Sequence, residues 1–111
     1  MKHTLILTVI YLLIIPNVFA GDIYATISKD NAPFSNQQIR ISDADGKEIT
    51  VITTDATGFF WIRVVQTGQL TLTILNKEFG NASINFTSNN SSTNYSFLLY
   101  NSEGKWQIKK Q

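Results

Sequence analysis

The sequence predicts an all-β fold, a seven- to eight-stranded Greek-key β-sandwich built from residues 21–111. Three observations carry this. Apolar and polar residues alternate with a period of two through most of that segment, as half-buried strands require, and helical spacing does not take hold after residue 20. Turn-forming residues recur at short intervals between the alternating runs, the spacing of a sandwich or barrel. The chain has no cysteine, so packing alone must stabilise the domain. A chain of this size buries roughly two-thirds of the surface it exposes when unfolded, which favours a compact sandwich over a loop-rich scaffold.

The first twenty residues are of another kind. Lys2 opens them, an apolar run follows from Leu5 to Ile15, Pro16 breaks it, and Val18 and Ala20 supply a small-residue cleavage pattern. This is the layout of a secretory signal peptide over residues 1–20, with a mature start at Gly21. The apolar run is about 11 residues, short of the roughly 20 that span a bilayer. The sequence therefore predicts a secreted or periplasmic domain over residues 21–111, with no membrane insertion after cleavage.

Each predicted strand has its own signal. Residues 22–28 place Ile23, Ala25 and Ile27 on one face and Tyr24 and Thr26 on the other, before a connection containing Asp30, Asn31 and Pro33. Residues 38–42 turn Ile39 and Ile41 inward. Asp43-Ala44-Asp45-Gly46 is a hairpin signal leading to the β-branched residues of 48–54. Asp55-Ala56-Thr57-Gly58 forms the next turn, with Asp55 as its cap and Gly58 supplying a permissive backbone. Strands follow at 59–65 and at 69–75, where Leu70, Leu72 and Ile74 point inward. Asn76–Gly80 ends the latter, and 82–87 offers Ile84 and Phe86 as its inward pair. Residues 88–94 read as a polar loop, 95–100 as a strand, and 105–109 as an edge strand reached through the turn at 101–104.

Residues 23–27, Ala32-Pro33, Ile39-x-Ile41, Thr53-Thr54-Asp55-Ala56-Thr57-Gly58-Phe59-Phe60-x-Ile62 and Gly68-Gln69-Leu70-x-Leu72-x-Ile74 form an ordered series. It resembles the carboxypeptidase regulatory-like domain family, a prealbumin-like (transthyretin-like) β-sandwich, over about residues 22–75. The resemblance implies a non-catalytic accessory module with Phe60 plugging the sandwich. Fold does not settle function, so the chemistry has to be read from the residues.

Residues 21–111 contain neither histidine nor cysteine, which removes the commonest general base, the thiol nucleophile and the usual transition-metal ligands. The histidines and Tyr-Arg-Gly-Ser ending of the hydroxyisourate hydrolases, the enzymatic branch of the transthyretin-like fold, are missing too; the chain ends Gln107-Ile108-Lys109-Lys110-Gln111. The expectation is no enzyme, no cofactor and no metal. Asp43 and Asp45 supply two carboxylates, short of the six to eight oxygens that calcium takes, and read better as a hairpin turn. The context of Lys29 resembles the first strand of domains with a lysine–asparagine isopeptide bond, yet the acid those domains need is missing from 70–75.

The eight acidic and eight basic residues of the mature segment balance, so no basic field draws nucleic acid or anionic lipid. Lys105, Lys109 and Lys110 read as a solubilising tail. Asn81, Asn85, Asn89, Asn90 and Asn94 each open an Asn-x-Ser/Thr sequon, a glycan site in a eukaryotic secretory pathway and a plain polar tract in a bacterial one. The short leader and missing cysteines point to bacterial export.

Binding is the remaining class. With Phe60, Ile62 and Val64 inward, Phe59, Trp61 and Arg63 share the outer face of one strand. Three readings compete for it. The segment around Trp106 and Ile108, or a neighbouring strand, covers the rings; or the face takes a protein partner, as tryptophan, tyrosine and arginine do at interface hot spots; or it is a polysaccharide platform with Tyr24 or Tyr95 assisting. The expected function is protein binding or a structural accessory role in a cell-envelope or extracellular assembly, with a carbohydrate-binding module as the alternative.

Overall fold

A computed structural model describes residues 21–65, 68–89 and 91–111; the leader assigned to residues 1–20 and the sequon at Asn90 lie outside the described residues. The chain folds as an all-β sandwich. Its strands are β1 (Gly21–Lys29), β2 (Ala32–Pro33), β3 (Gln38–Asp43), β4 (Glu48–Thr53), β5 (Phe59–Val64), β6 (Gly68–Ile74), β7 (Ser83–Ser88), β8 (Thr93–Ser102) and β9 (Lys105–Lys110). No helix among the described residues is long and apolar enough to cross a membrane.

One sheet runs β2-β1-β8-β9, with β5 also paired to β1; the other runs β4-β3-β6-β7. The chain crosses between them after β2, β4, β5 and β7. All pairings are antiparallel except β1 with β8, which run parallel from Ile23↔Thr93 to Lys29↔Leu99. The first strand is therefore interior to its sheet, held on one side by β5 and β2 and on the other by a strand from the far end of the sequence.

Alternation dictates the core. Ile23, Ala25 and Ile27 of β1, Phe60, Ile62 and Val64 of β5, and Phe97 and Leu99 of β8 face Ile39, Ile41, Leu70, Leu72, Ile74 and Phe86 of the other sheet, all buried. Ile84 is only half-buried, because β7 is an edge. Burial of each large apolar side chain contributes about 1.5–3 kcal/mol.

The structure departs from the predicted elements at three points. The connection after β1 contains a ninth strand, because Asp30 and Asn31 both take positive φ (52° and 63°) and close a two-residue turn that brings Ala32–Pro33 back onto β1. Pro33 is tolerated there since β2 lies at the sheet edge. The polar stretch 88–94 is shorter as a loop than its composition predicts: Ser88 ends β7, and Thr93 and Asn94 already pair with β1. Lys77–Phe79 forms one 3-10 turn capped by Asn76, whose side chain accepts from the Glu78 amide at 3.0 Å, and it buries Phe79 between Phe34 and Trp106.

Candidate functional site

The site is the outer face of the five-stranded sheet where β5 lies against β1. Antiparallel register sets Trp61 opposite Tyr24, Arg63 opposite Asp22 and Phe59 opposite Thr26, and β8 adds Asn94 and Ser96 on the other side of β1. Two sequence-distant strands thereby bring three aromatic rings and an ion pair onto one surface.

Asp22 organises one end of it. Its Oδ1 accepts from Trp61 Nε1 at 3.2 Å and from Arg63 Nε at 3.0 Å, while Oδ2 accepts from Arg63 Nη2 at 3.3 Å. The guanidinium thus meets the carboxylate through both of its oxygens, which fixes orientation as well as charge. The hydrogen bond from Arg63 holds the Asp22 carboxyl below the usual carboxylate value, with the Trp61 indole adding to it, and Asp22 in turn raises Arg63. The other end is apolar: Tyr24 stacks on Phe59 with ring centroids 6.4 Å apart. Trp61 between them is 47% exposed and Tyr24 36%. Beside the two rings a shallow pocket of about 180 Å³ is lined by Tyr24, Ala25, Thr26, Phe59, Asn94, Tyr95 and Ser96.

The segment around Trp106 and Ile108 does not cover this face. β9 pairs with β8, so β8 and β1 stand between it and β5, and Trp106 packs edge-on against Phe79 at 4.9 Å. Of the two tyrosines considered for a sugar platform, Tyr24 is on the face and Tyr95 is not. Tyr95 points between the sheets, stacked on Phe97 and edge-on to Phe86. Asp22 and its role went unread in the sequence; the one available signal is that Asp22, Tyr24 and Thr26 share a face by alternation, and only register places that face beside β5.

The turn residues hold the face in place. Asp55 Oδ1 accepts from the Thr57 amide (2.8 Å), the Thr57 hydroxyl (2.7 Å) and the Phe59 amide (3.0 Å). The Thr57 hydroxyl bond is the largest of the effects that keep its carboxyl below the usual value. Gly58, at φ 77°, passes directly under β1, where its carbonyl accepts from the Ile27 amide at 2.9 Å.

The other groups weighed in the sequence are placed elsewhere. Asp43 Oδ1 accepts from the amides of Asp45 and Lys47, both at 2.9 Å, so it closes its own turn. Lys29 bonds Asp30 at 2.8 Å, with its ammonium 5.4 Å from the Trp106 ring centroid. Asn81, Asn85, Asn89 and Asn94 are all exposed. Among the described residues no three histidine, cysteine, aspartate or glutamate side chains cluster as a metal site would. No family model matches the chain, and no curated protein matches it.

Proposed function

We propose that this chain is an exported, non-catalytic binding module of the carboxypeptidase regulatory-like kind, and that it takes a protein partner on the outer face formed by Tyr24, Phe59, Trp61 and Arg63. The observation that carries this reading is Trp61, exposed at the centre of an aromatic surface and oriented by the same carboxylate that holds Arg63. A ring fixed before binding loses little side-chain freedom on contact, and tryptophan, tyrosine and arginine supply most interface hot spots. In a cell envelope or extracellular assembly such a module acts as a structural accessory.

The shallow pocket beside Tyr24 and Phe59 favours a second reading, a carbohydrate-binding module. There flat rings meet sugar faces while Asn94, Ser96 and Thr26 supply hydrogen-bonding groups at the side.

A photoreactive amino acid at position 61, expressed in the native host, tests the first reading. It predicts one defined cross-linked protein, other than a second copy of this chain, that disappears when the probe is moved to an exposed site on the opposite sheet, such as Val51. Retention of the parent on insoluble polysaccharide, lost in Trp61→Ala, would instead select the second. Neither cross-linking nor retention would sink both.

A further inference from the structure

β5 presents an open edge whose backbone groups can be assigned one by one. The Ile27 amide donates to the Gly58 carbonyl in line with the β1–β5 register, so alternate pairs from there on, Ala25 with Phe60, Ile23 with Ile62 and Gly21 with Val64, exchange the ladder hydrogen bonds. Phe59, Trp61 and Arg63 then turn their N–H and C=O groups away from β1. Those of Phe59 are taken by the Asp55 turn, the amide donating to Oδ1 and the carbonyl accepting from the Asp55 amide, each at 3.0 Å. Those of Trp61 and Arg63 have no strand beside them among the described residues.

The other three sheet edges carry protection that β5 lacks. β9 carries Lys105, Lys109 and Lys110; β4 begins at Glu48 and is offset by a bulge opposite Ile41/Ser42; the outward groups of Thr87 on β7 are bonded by the Tyr95 hydroxyl. Lysines, bulges and covered backbone are the means by which edges avoid pairing. β5 has no lysine, proline or bulge, and its single charge is paired with Asp22.

We propose that β5 pairs antiparallel with β5 of a second copy of this chain, in the register that sets Trp61 opposite Arg63 of that copy. The two-fold axis then passes at Ile62, and the amide and carbonyl of Trp61 and of Arg63 in each copy are all satisfied across it. Each Trp61 ring faces a guanidinium, an attractive cross-strand pair that symmetry makes twice. Val65 lies past the end of β5 and comes level with Phe59, whose backbone is taken by the Asp55 turn, so the ladder stops at Trp61 and Arg63. Neighbouring registers fail on the same chemistry. Centring on Trp61 directs Arg63 to the backbone of Phe59, which is occupied, and centring on Arg63 sets two guanidiniums face to face. The pairing makes one continuous sheet and joins the two aromatic outer faces, whatever that face binds.

Light scattering on the purified chain over a range of concentrations, with amide hydrogen exchange, tests the pairing. Expected is twice the chain mass, with the Trp61 and Arg63 amides protected. Arg63→Pro deletes an amide that β1 does not use, so it should halve the mass and keep the β circular dichroism signal. Trp61→Lys, which sets a second cation opposite Arg63, should halve it as well, while Trp61→Phe should not. A parent of single-chain mass at its highest soluble concentration overturns the proposal, whether its edge amides exchange freely or another segment of the chain protects them. So does a dimer that survives Trp61→Lys. If Arg63→Pro fails to fold, the Lys and Phe variants decide between them: equal masses overturn the register.

Discussion

The phenol of Tyr95 closes the edge of β7: its hydroxyl donates to the Thr87 carbonyl at 2.6 Å and accepts from the Thr87 amide at 3.3 Å, joining a strand of one sheet to the margin of the other. Tyr95→Phe keeps the ring stack on Phe97 and removes only this bridge. Denaturant unfolding should show a loss of about 1–2 kcal/mol. The Thr87 amide should exchange faster by hydrogen–deuterium measurement, and unchanged exchange would contradict the assignment.

Thr54 is a buried polar side chain with both of its functions used. Its hydroxyl donates to the Phe34 carbonyl at 2.7 Å and accepts from the Gln37 amide at 3.0 Å, tying the start of β3 to the end of β4. Thr54→Val matches the shape but strands two backbone groups, so it should cost roughly 1–3 kcal/mol. Thr54→Ser should recover most of that in thermal melts, and equal melting of the two variants would refute the hydrogen-bond account.

Two glycines with similar backbone angles separate strain from packing. Gly46 (φ 83°) has open space where a Cβ would sit, and Gly46→Ala should cost roughly 1 kcal/mol in backbone strain alone. At Gly58 the added methyl would overlap the Ile27 carbonyl oxygen and crowd the Phe34 amide at 3.1 Å. Both are backbone and cannot rotate aside. Gly58→Ala should therefore cost at least twice as much, and comparable melting temperatures would show that the turn moves freely under β1.

Acid should loosen both ends of β5. Asp22 and Asp55 both titrate below the usual carboxylate value in the folded state, Asp22 through Arg63 and Asp55 chiefly through the Thr57 hydroxyl. The folded state therefore holds fewer protons than the unfolded one just below pH 4, and stability falls as pH drops through that range toward the folded values. It is fully present at neutral pH. In Asp55→Asn the melting temperature should be lower at neutral pH and depend less on pH below 4; an unchanged slope would remove Asp55 from the account.

Asp22 also fixes the indole of Trp61. With Trp106 replaced by phenylalanine, Trp61 is the remaining tryptophan of residues 21–111 and can be excited selectively over the tyrosines. Asp22→Ala should then raise its accessibility to a neutral quencher and lower its anisotropy, with little change in overall melting, because exposed ion pairs add little to stability. Quenching indistinguishable from the parent would mean that the ring is held by its neighbours alone.

Period-two alternation made most of the strands and their inward residues legible, since a sheet buried on one face imposes that pattern whatever its neighbours. It also put Phe59, Trp61 and Arg63 on one surface. What it could not supply is which strand lies beside which. Asp22 acquires its role only through the β1–β5 register, Tyr95 leaves the outer face because β8 turns it inward with Phe97, and Trp106 lies away from Trp61 because β8 and β1 separate β9 from β5. The burial of Phe34 and Phe79 was equally hidden: both sit in connecting segments, where no periodicity marks a residue that closes the end of a sandwich.

The parallel pairing of β1 with β8 governs when the domain can form. A chain that emerges amino end first presents β1 early, yet beyond the two-residue β2 its neighbours arrive only with Phe59–Val64 and then Thr93–Ser102. Until the last third is out, the central strand of the sheet has one side open. Contacts so distant in sequence close slowly, on the millisecond-to-second scale usual for non-local β topologies. A chain released amino end first therefore cannot complete this sheet until Thr93–Ser102 is free to pair with β1.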